Sequence, residues 1–457
     1  MKRTKFRAWF LGTSVVLALA LFGAFRNSFG KDAAALPAEL AAAKKDGMPA
    51  NPEELMAGFW VPDSENATPD YASVFERIHK QKALEDAFSA FGKSKSSALT
   101  GPKLAAETKA LPVLTPVLDS LRKAAAKPHR NFSREWPRWS DSESPAYEDM
   151  KGGALALCTE AQARSKKGDW VGALTDLAAA ERMGRHVGEE PRFLAALVRT
   201  SIERRVELAL GKVIRDHMRD PAFLAAAAKM HAAYGPLSDF HRVIAGEMVL
   251  VRSIYHDRKS MDAFLQEGLG NGREARMRRF SPAYFLFTSV TMREAFDAKA
   301  VHGYRALYES CSSDPAKWET SKAAEKRAVR TVLQDQSLAN QIGSTLLPTY
   351  EDFFEVQGVT IAYRNLADTE LRLLMDWQKT GKLPTELPDY GATSIDPFSH
   401  KPLQYRPSAN GFKLYSFGPN RTDDGGKPVS ATKKGSKDYD LVVSVLSENP
   451  APAVHPK

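Results

Sequence analysis

The chain has 457 residues, 43% hydrophobic and 26% charged, with a formal net charge of +9. That composition excludes global disorder, and the length admits two or three domains. Five of the positive charges, Lys2, Arg3, Lys5, Arg7 and Arg26, flank one apolar run with no acid beside them, and the +4 left on the rest is too small for a nucleic-acid-binding face.

That run, Ala8 to Phe25, holds eighteen uncharged residues. As a helix it measures roughly 27 Å, enough for a hydrocarbon core of about 30 Å. Its basic flank stays cytoplasmic, so residues 1–26 are expected to form a signal-anchor in the inner (cytoplasmic) membrane. The bulk of the chain then lies on the periplasmic or extracytoplasmic side. The competing reading is a cleaved signal peptide with Ala18-Leu19-Ala20 at its processing site. The apolar run continues past that site to Phe25, which favours the anchor. No cysteine lies near the end of the run, which excludes a lipoprotein anchor. Cys158 and Cys311 are too few for a disulfide framework; they either pair or stay free and buried.

Residues 27–66, rich in Ala, Lys, Pro and Gly, read as a juxtamembrane spacer with one short helix at most. From Pro69 the pattern turns helical. Tyr71, Val74, Phe75, Ile78, Leu84, Phe88 and Phe91 recur at mostly three- and four-residue spacings, an amphipathic stripe. A helix is predicted over 103–126. Residues 128–146 read as a loop packed down by Trp136 and Trp139. Helices follow over 148–167 and 170–185, joined by Gly168-Asp169, and over 191–217. Asp220-Pro221, Ser281-Pro282 and Asp314-Pro315 repeat a helix-start signal. The stretch Lys166–Met183 has the look of one tetratricopeptide-type turn and helix, but no second copy lies one repeat length away, so a generic hairpin is expected. Residues 67–345 are therefore a helical body of antiparallel hairpins.

Within residues 346–447 the texture changes. A helix over 356–377 ends at Thr380-Gly381, and short strands are predicted over 403–406, 412–417 and 441–446, with Asn410-Gly411 as the hairpin turn. Residues 448–457 are a tail. The expected fold class is mainly α, with an N-terminal membrane helix, an antiparallel helical-hairpin body and a small α+β module carrying a short antiparallel meander.

The order of that module is Gly381-Lys-Leu-Pro, Asp396-Pro-Phe, Pro402-Leu-Gln-Tyr405, Tyr415-Ser-Phe-Gly418, an Asp/Gly-rich loop and Asp438-Tyr-Asp440. It resembles the periplasmic domain of type II secretion major pseudopilins over about a fifth of the chain. Pseudopilins carry their hydrophobic helix directly before this module, behind a prepilin cleavage site; here the apolar segment lies some 330 residues upstream. The resemblance therefore implies the small fold and not filament assembly. The whole layout, from Asn66-Ala67 to the final Asp/Gly-rich loop, also resembles a family of bacterial membrane-anchored envelope proteins with no assigned activity.

The candidate metal site is the loop Asn420–Gly426, with Asp423 and Asp424, together with Asp438 and Asp440. Calcium takes six to eight oxygen ligands from a flexible, glycine-containing loop, and the pseudopilin resemblance implies calcium there. The alternative is a solvated hairpin whose aspartates bond their own backbone. No cofactor is expected. The ten histidines show no helical zinc spacing, and no nucleophile elbow, phosphate-binding loop or dinucleotide fingerprint occurs. Arg273, Arg276, Arg278 and Arg279 precede a ten-residue apolar run, 283–292, which reads as a core helix behind an arginine turn or as a lipid- or partner-contacting element. The function expected is non-catalytic binding or scaffolding in the cell envelope, with membrane contact through the N-terminal helix and a protein partner. One alternative is an exported hydrolase built from residues such as His241, His256 and Asp257. Another is a secretion-related assembly, which would require exposed surface around Tyr405 and Tyr415.

Overall fold

The computed structural model describes residues 29–57, 61–92, 101–130, 145–257, 259–260, 289–312, 314, 317–344, 347, 351–408, 411–428 and 439–446. The apolar run Ala8–Phe25 lies outside them, as do Trp136, Trp139, the arginines at 273–279 and Asp438. Among the described residues, no helix is long and apolar enough to cross a membrane.

The fold is mainly helical. A helix over 29–45 (α1) and a short α2 (Pro52–Met56) come first. Next are α3 (Thr68–Lys80), α4 (Lys82–Gly92), α5 (Gly101–Ala125), α6 (Pro145–Ser165), α7 (Trp170–Gly188), α8 (Phe193–His217) and α9 (Pro221–Ala232). The last helices are α10 (Phe240–His256), α11 (Val290–Ser310), α12 (Trp318–Gln334), α13 (Leu338–Gly343) and α14 (Glu351–Thr380). Three strands close the chain, β1 (Gln404–Ser408), β2 (Gly411–Ser416) and β3 (Leu441–Leu446), in an antiparallel meander of order β1-β2-β3.

Local chemistry sets most boundaries. Asp169 caps α7 by accepting from the Gly172 N–H at 2.9 Å, while Gly168 takes φ +83° in the tight turn before it. Asp220 caps α9 through the Ala222 and Phe223 N–H groups, and Asp239 caps α10 through His241. The single amphipathic stripe over 70–91 is two helices, because Gln81 is extended (φ −112°, ψ 106°) between α3 and α4. Residues 29–45 are the larger departure from the expected spacer. Phe29, Ala33, Leu36, Leu40 and Ala43 recur at alternating spacings of four and three and pack into the core, while Pro37 is exposed.

The buried apolar residues form two large clusters. The first joins α3–α9 to the later part of α14 and the sheet, through residues such as Leu118, Leu157, Ile202, Leu366, Phe412 and Leu414. The second joins α1, α10, α11 and the start of α14, through Phe29, Phe240, Phe296, Tyr304, Phe353 and Phe354. Two helices run through both: α8 gives Ala196 to the second cluster and Ala195 and Ile202–Ile214 to the first, and α14 gives Phe353 and Phe354 to the second and Val359–Trp377 to the first. Cys158 and Cys311 are free and buried, one in each cluster. Burial pushes both thiols up to about 12, which leaves them as inert core residues.

Candidate functional site

The loop after β2 holds three of the four candidate calcium ligands. Asp440 is fully buried, and its carboxylate accepts from the backbone N–H groups of Gly426 (2.6 Å), Lys427 (3.3 Å) and Asp424 (3.3 Å). Burial raises its pKa and these donors oppose the rise. Asp423 accepts from the Tyr415 hydroxyl at 3.1 Å and the Gly425 N–H at 2.8 Å, and the Arg406 guanidinium lies 3.9 Å from its other oxygen. Asp424 accepts from the Asn420 side-chain amide at 2.8 Å. In this arrangement the aspartate oxygens accept from N–H and O–H donors of the loop itself, with a guanidinium alongside. Among the described residues, no group of three or more His, Cys, Asp or Glu is placed to hold a metal ion.

The same module explains its own motifs. Asp396 of the Asp-Pro-Phe segment is buried and accepts from Phe398 N–H, the Ser399 hydroxyl, the Ser416 hydroxyl (2.7 Å) and Phe417 N–H. It ties the segment before β1 to the end of β2. Tyr415 is fully covered, with the Arg406 guanidinium 5.2 Å above its ring, and Tyr405 is half-buried and donates to the Pro384 carbonyl at 3.0 Å. The Tyr415 ring therefore offers no exposed surface to an assembly partner.

The residues named for a hydrolytic site are not brought together. His241 and His256 sit at opposite ends of α10, fifteen residues and about 22 Å apart. His241 lies against the Tyr308 ring (4.6 Å) and 3.6 Å from Asp239, whose hydrogen bond raises its pKa. Asp257 accepts from the backbone N–H and hydroxyl of Ser260.

His256 instead meets a residue the sequence did not single out. Asp297, fully buried on α11, takes a forked pair of bonds from Arg252 (Nε 2.9 Å, Nη2 3.0 Å) and a third from His256 Nε2 at 2.6 Å. A carboxylate only accepts, so Nε2 carries the hydrogen and Nδ1 is the other face of a half-exposed ring. A histidine oriented by a buried aspartate is the supporting half of a general-base arrangement. Among the described residues, no hydroxyl or thiol is hydrogen-bonded to His256 Nδ1. The signal is a pair 41 positions apart in sequence, which no local spacing reveals.

A second polar cluster surrounds the α9–α10 connection, residues 233–239. Arg364 of α14 reaches Glu203 (3.2 Å) and donates to the Gly235 carbonyl (2.8 Å), with its guanidinium 5.9 Å over the Tyr234 ring. Arg199 pairs with Glu203 (2.7 Å) and donates to the Pro236 carbonyl. Glu181 accepts from Gly235 N–H, and Gln357 donates to the Ser238 carbonyl. His231 lies 3.3 Å from Glu207; burial opposes its charge, but the carboxylate outweighs burial and its pKa is raised. These groups hold the connection that passes from the first cluster to the second. Their chemistry is that of a weld: each carboxylate faces a guanidinium, an imidazole or an amide. The chain matches no protein-family model, and neither the curated proteins nor the solved structures contain a match to it.

Proposed function

We propose that the protein is a single-pass, membrane-anchored component of the cell envelope whose helical body and terminal sheet module serve binding or scaffolding outside the cytoplasm, without catalysis. The observation that supports this most is the docking of α1. The helix starts no later than Phe29, four residues after the end of the apolar run, and is packed into the second cluster and clamped to α11 by ion pairs. A body fastened at the exit of its hydrophobic segment suits a tethered protein, in which the segment's position is transmitted to the fold. The test is carbonate extraction of membranes from a bacterial host expressing the full chain. Pelleting that resists carbonate and is lost when residues 1–26 are deleted agrees with the reading; release of a chain that starts after Ala20 contradicts it.

The Asp297–His256 pair favours a second reading, an exported hydrolase with His256 as general base. Fluorophosphonate labelling of the full chain that disappears in His256→Ala would support it, and absence of labelling with folded protein counts against a serine nucleophile.

A further inference from the structure

Three elements meet at one end of the second cluster. Helices α10 and α11 run antiparallel, because Arg252 and His256 both reach Asp297 and Arg293 Nη1 donates to the Tyr255 carbonyl at 3.3 Å. The last turn of α10 therefore lies beside the first turns of α11. Helix α1 runs parallel to α11: Asp32 pairs with Lys299 (2.9 Å), Glu39 with Arg305 (3.0 Å), and the Phe29 ring meets Phe296 edge-on at 6.0 Å. The chain thus enters α1 at that same end.

Covalent reach then limits where a membrane can be. Only residues 26–28 separate Phe29 from Phe25, and four Cα–Cα steps span at most about 14 Å. With residues 8–25 in a bilayer, its surface lies within that distance of Phe29. Val290 is six residues before Phe296 on α11, about 9 Å along the axis. It is a large apolar side chain left 58% exposed. Along α8, by contrast, the chain travels from Ala196 in the second cluster to Ile214 in the first, eighteen residues or about 27 Å. The start of α7, where Trp170 meets Phe223, lies by that far end of α8, since His217 also packs on Phe223.

We infer that the end of the second cluster formed by the last turn of α10 and the first turn of α11 is the face apposed to the bilayer. Val290 sits at the headgroup layer, and α1 is the strut that fixes this orientation. The inference rests on the retained anchor proposed above, and the experiment separates the two. The full chain is reconstituted in lipid nanodiscs with a dye on Val290→Cys or on Val171→Cys, a 60% exposed site at the start of α7; the native thiols are buried and do not label. Nitroxide-headgroup lipid is expected to quench the dye at 290 several-fold more than at 171. The Glu39→Lys/Arg305→Ala variant is expected to remain in the discs with that difference abolished. Equal or reversed quenching overturns the bilayer-facing end while leaving the anchor intact, and an unchanged difference in the double variant overturns the strut. Failure of the chain to enter discs overturns the anchor, and the inference with it.

Discussion

Asp297 shows how this fold uses charge. Its carboxylate is fully buried and satisfied by Arg252 and His256 together. Removing it leaves a guanidinium with no counter-charge, so Asp297→Ala is expected to cost about 3–5 kcal/mol in denaturant unfolding, whereas His256→Ala, with a half-exposed ring, costs under about 1 kcal/mol. Equal costs would mean that the imidazole, not the guanidinium, is the carboxylate's main partner. Glu370 on α14 is the opposite case. It is fully buried and neither of its carboxylate oxygens has a hydrogen-bond partner among the described residues. Burial pushes its pKa up to about 8, with Arg215 pulling the other way. A raised carboxyl favours the fold below its unfolded value near 4.5, and that stability is lost as pH rises through about 8. Glu370→Met is therefore expected to stabilise the protein at pH 8 by about 1–3 kcal/mol, with a smaller gain at pH 5, read by urea titration at the two values.

At the scale of elements, α1 is the feature with most consequence. Its clamp faces Lys299, His302 and Arg305 of α11 with Asp32, Glu39 and Asp46. The hydrogen bond that His302 donates to Glu39 raises the pKa of His302, against burial, and the same bond lowers that of Glu39. The His302 contribution is complete below about 6.5, the ordinary histidine value, and is lost as pH rises through the raised one; Glu39 loses its part as pH falls through its lowered value. Limited proteolysis across α1 should thus be slowest near pH 5–6 and faster at pH 8, and Glu39→Gln should flatten that profile. A second element-scale device is Gly246. A Cβ there would lie 1.7 Å from the Pro191 carbonyl oxygen, so α10 crosses the α7–α8 connection only because that residue is glycine. Gly246→Ala is expected to cost at least about 1–3 kcal/mol by forcing the two apart, a loss that thermal unfolding would register.

These elements also show which parts of the fold were legible in sequence. Asp169, Asp220, Gly168 and the spacing of the final strands act within a few residues, so their caps, turn and hairpins could be read directly. The break at Gln81 carries no proline or glycine, and its one trace is the six-residue step from Ile78 to Leu84, which moves the apolar stripe off the face it held before. Helix α1 hid behind its alanines and Pro37, since a row of small residues gives little hydrophobic contrast. The partners of Asp297, and Arg364 as the second partner of Glu203, come from other helices, and only the folded chain brings them together. The clustering of Asp423, Asp424 and Asp440 is legible in the sequence, whereas the backbone N–H groups that their oxygens accept from depend on the path of the loop, which composition does not carry.

At the scale of the molecule, α8 and α14 each pass through both clusters, and Arg364, Arg199 and Glu203 fasten the connection between them. The two clusters are expected to unfold together, with calorimetric and van't Hoff enthalpies equal. Arg364→Ala should split or broaden that transition; two transitions in the unaltered protein would refute the shared-helix account. The central claim is the placement of this body outside the cytoplasm on a retained anchor. Protease added to intact spheroplasts expressing the full chain tests it most directly. The account predicts digestion of a C-terminal tag and of the body without lysis, leaving a short membrane-bound N-terminal fragment. A tag protected until the membrane is broken would contradict it.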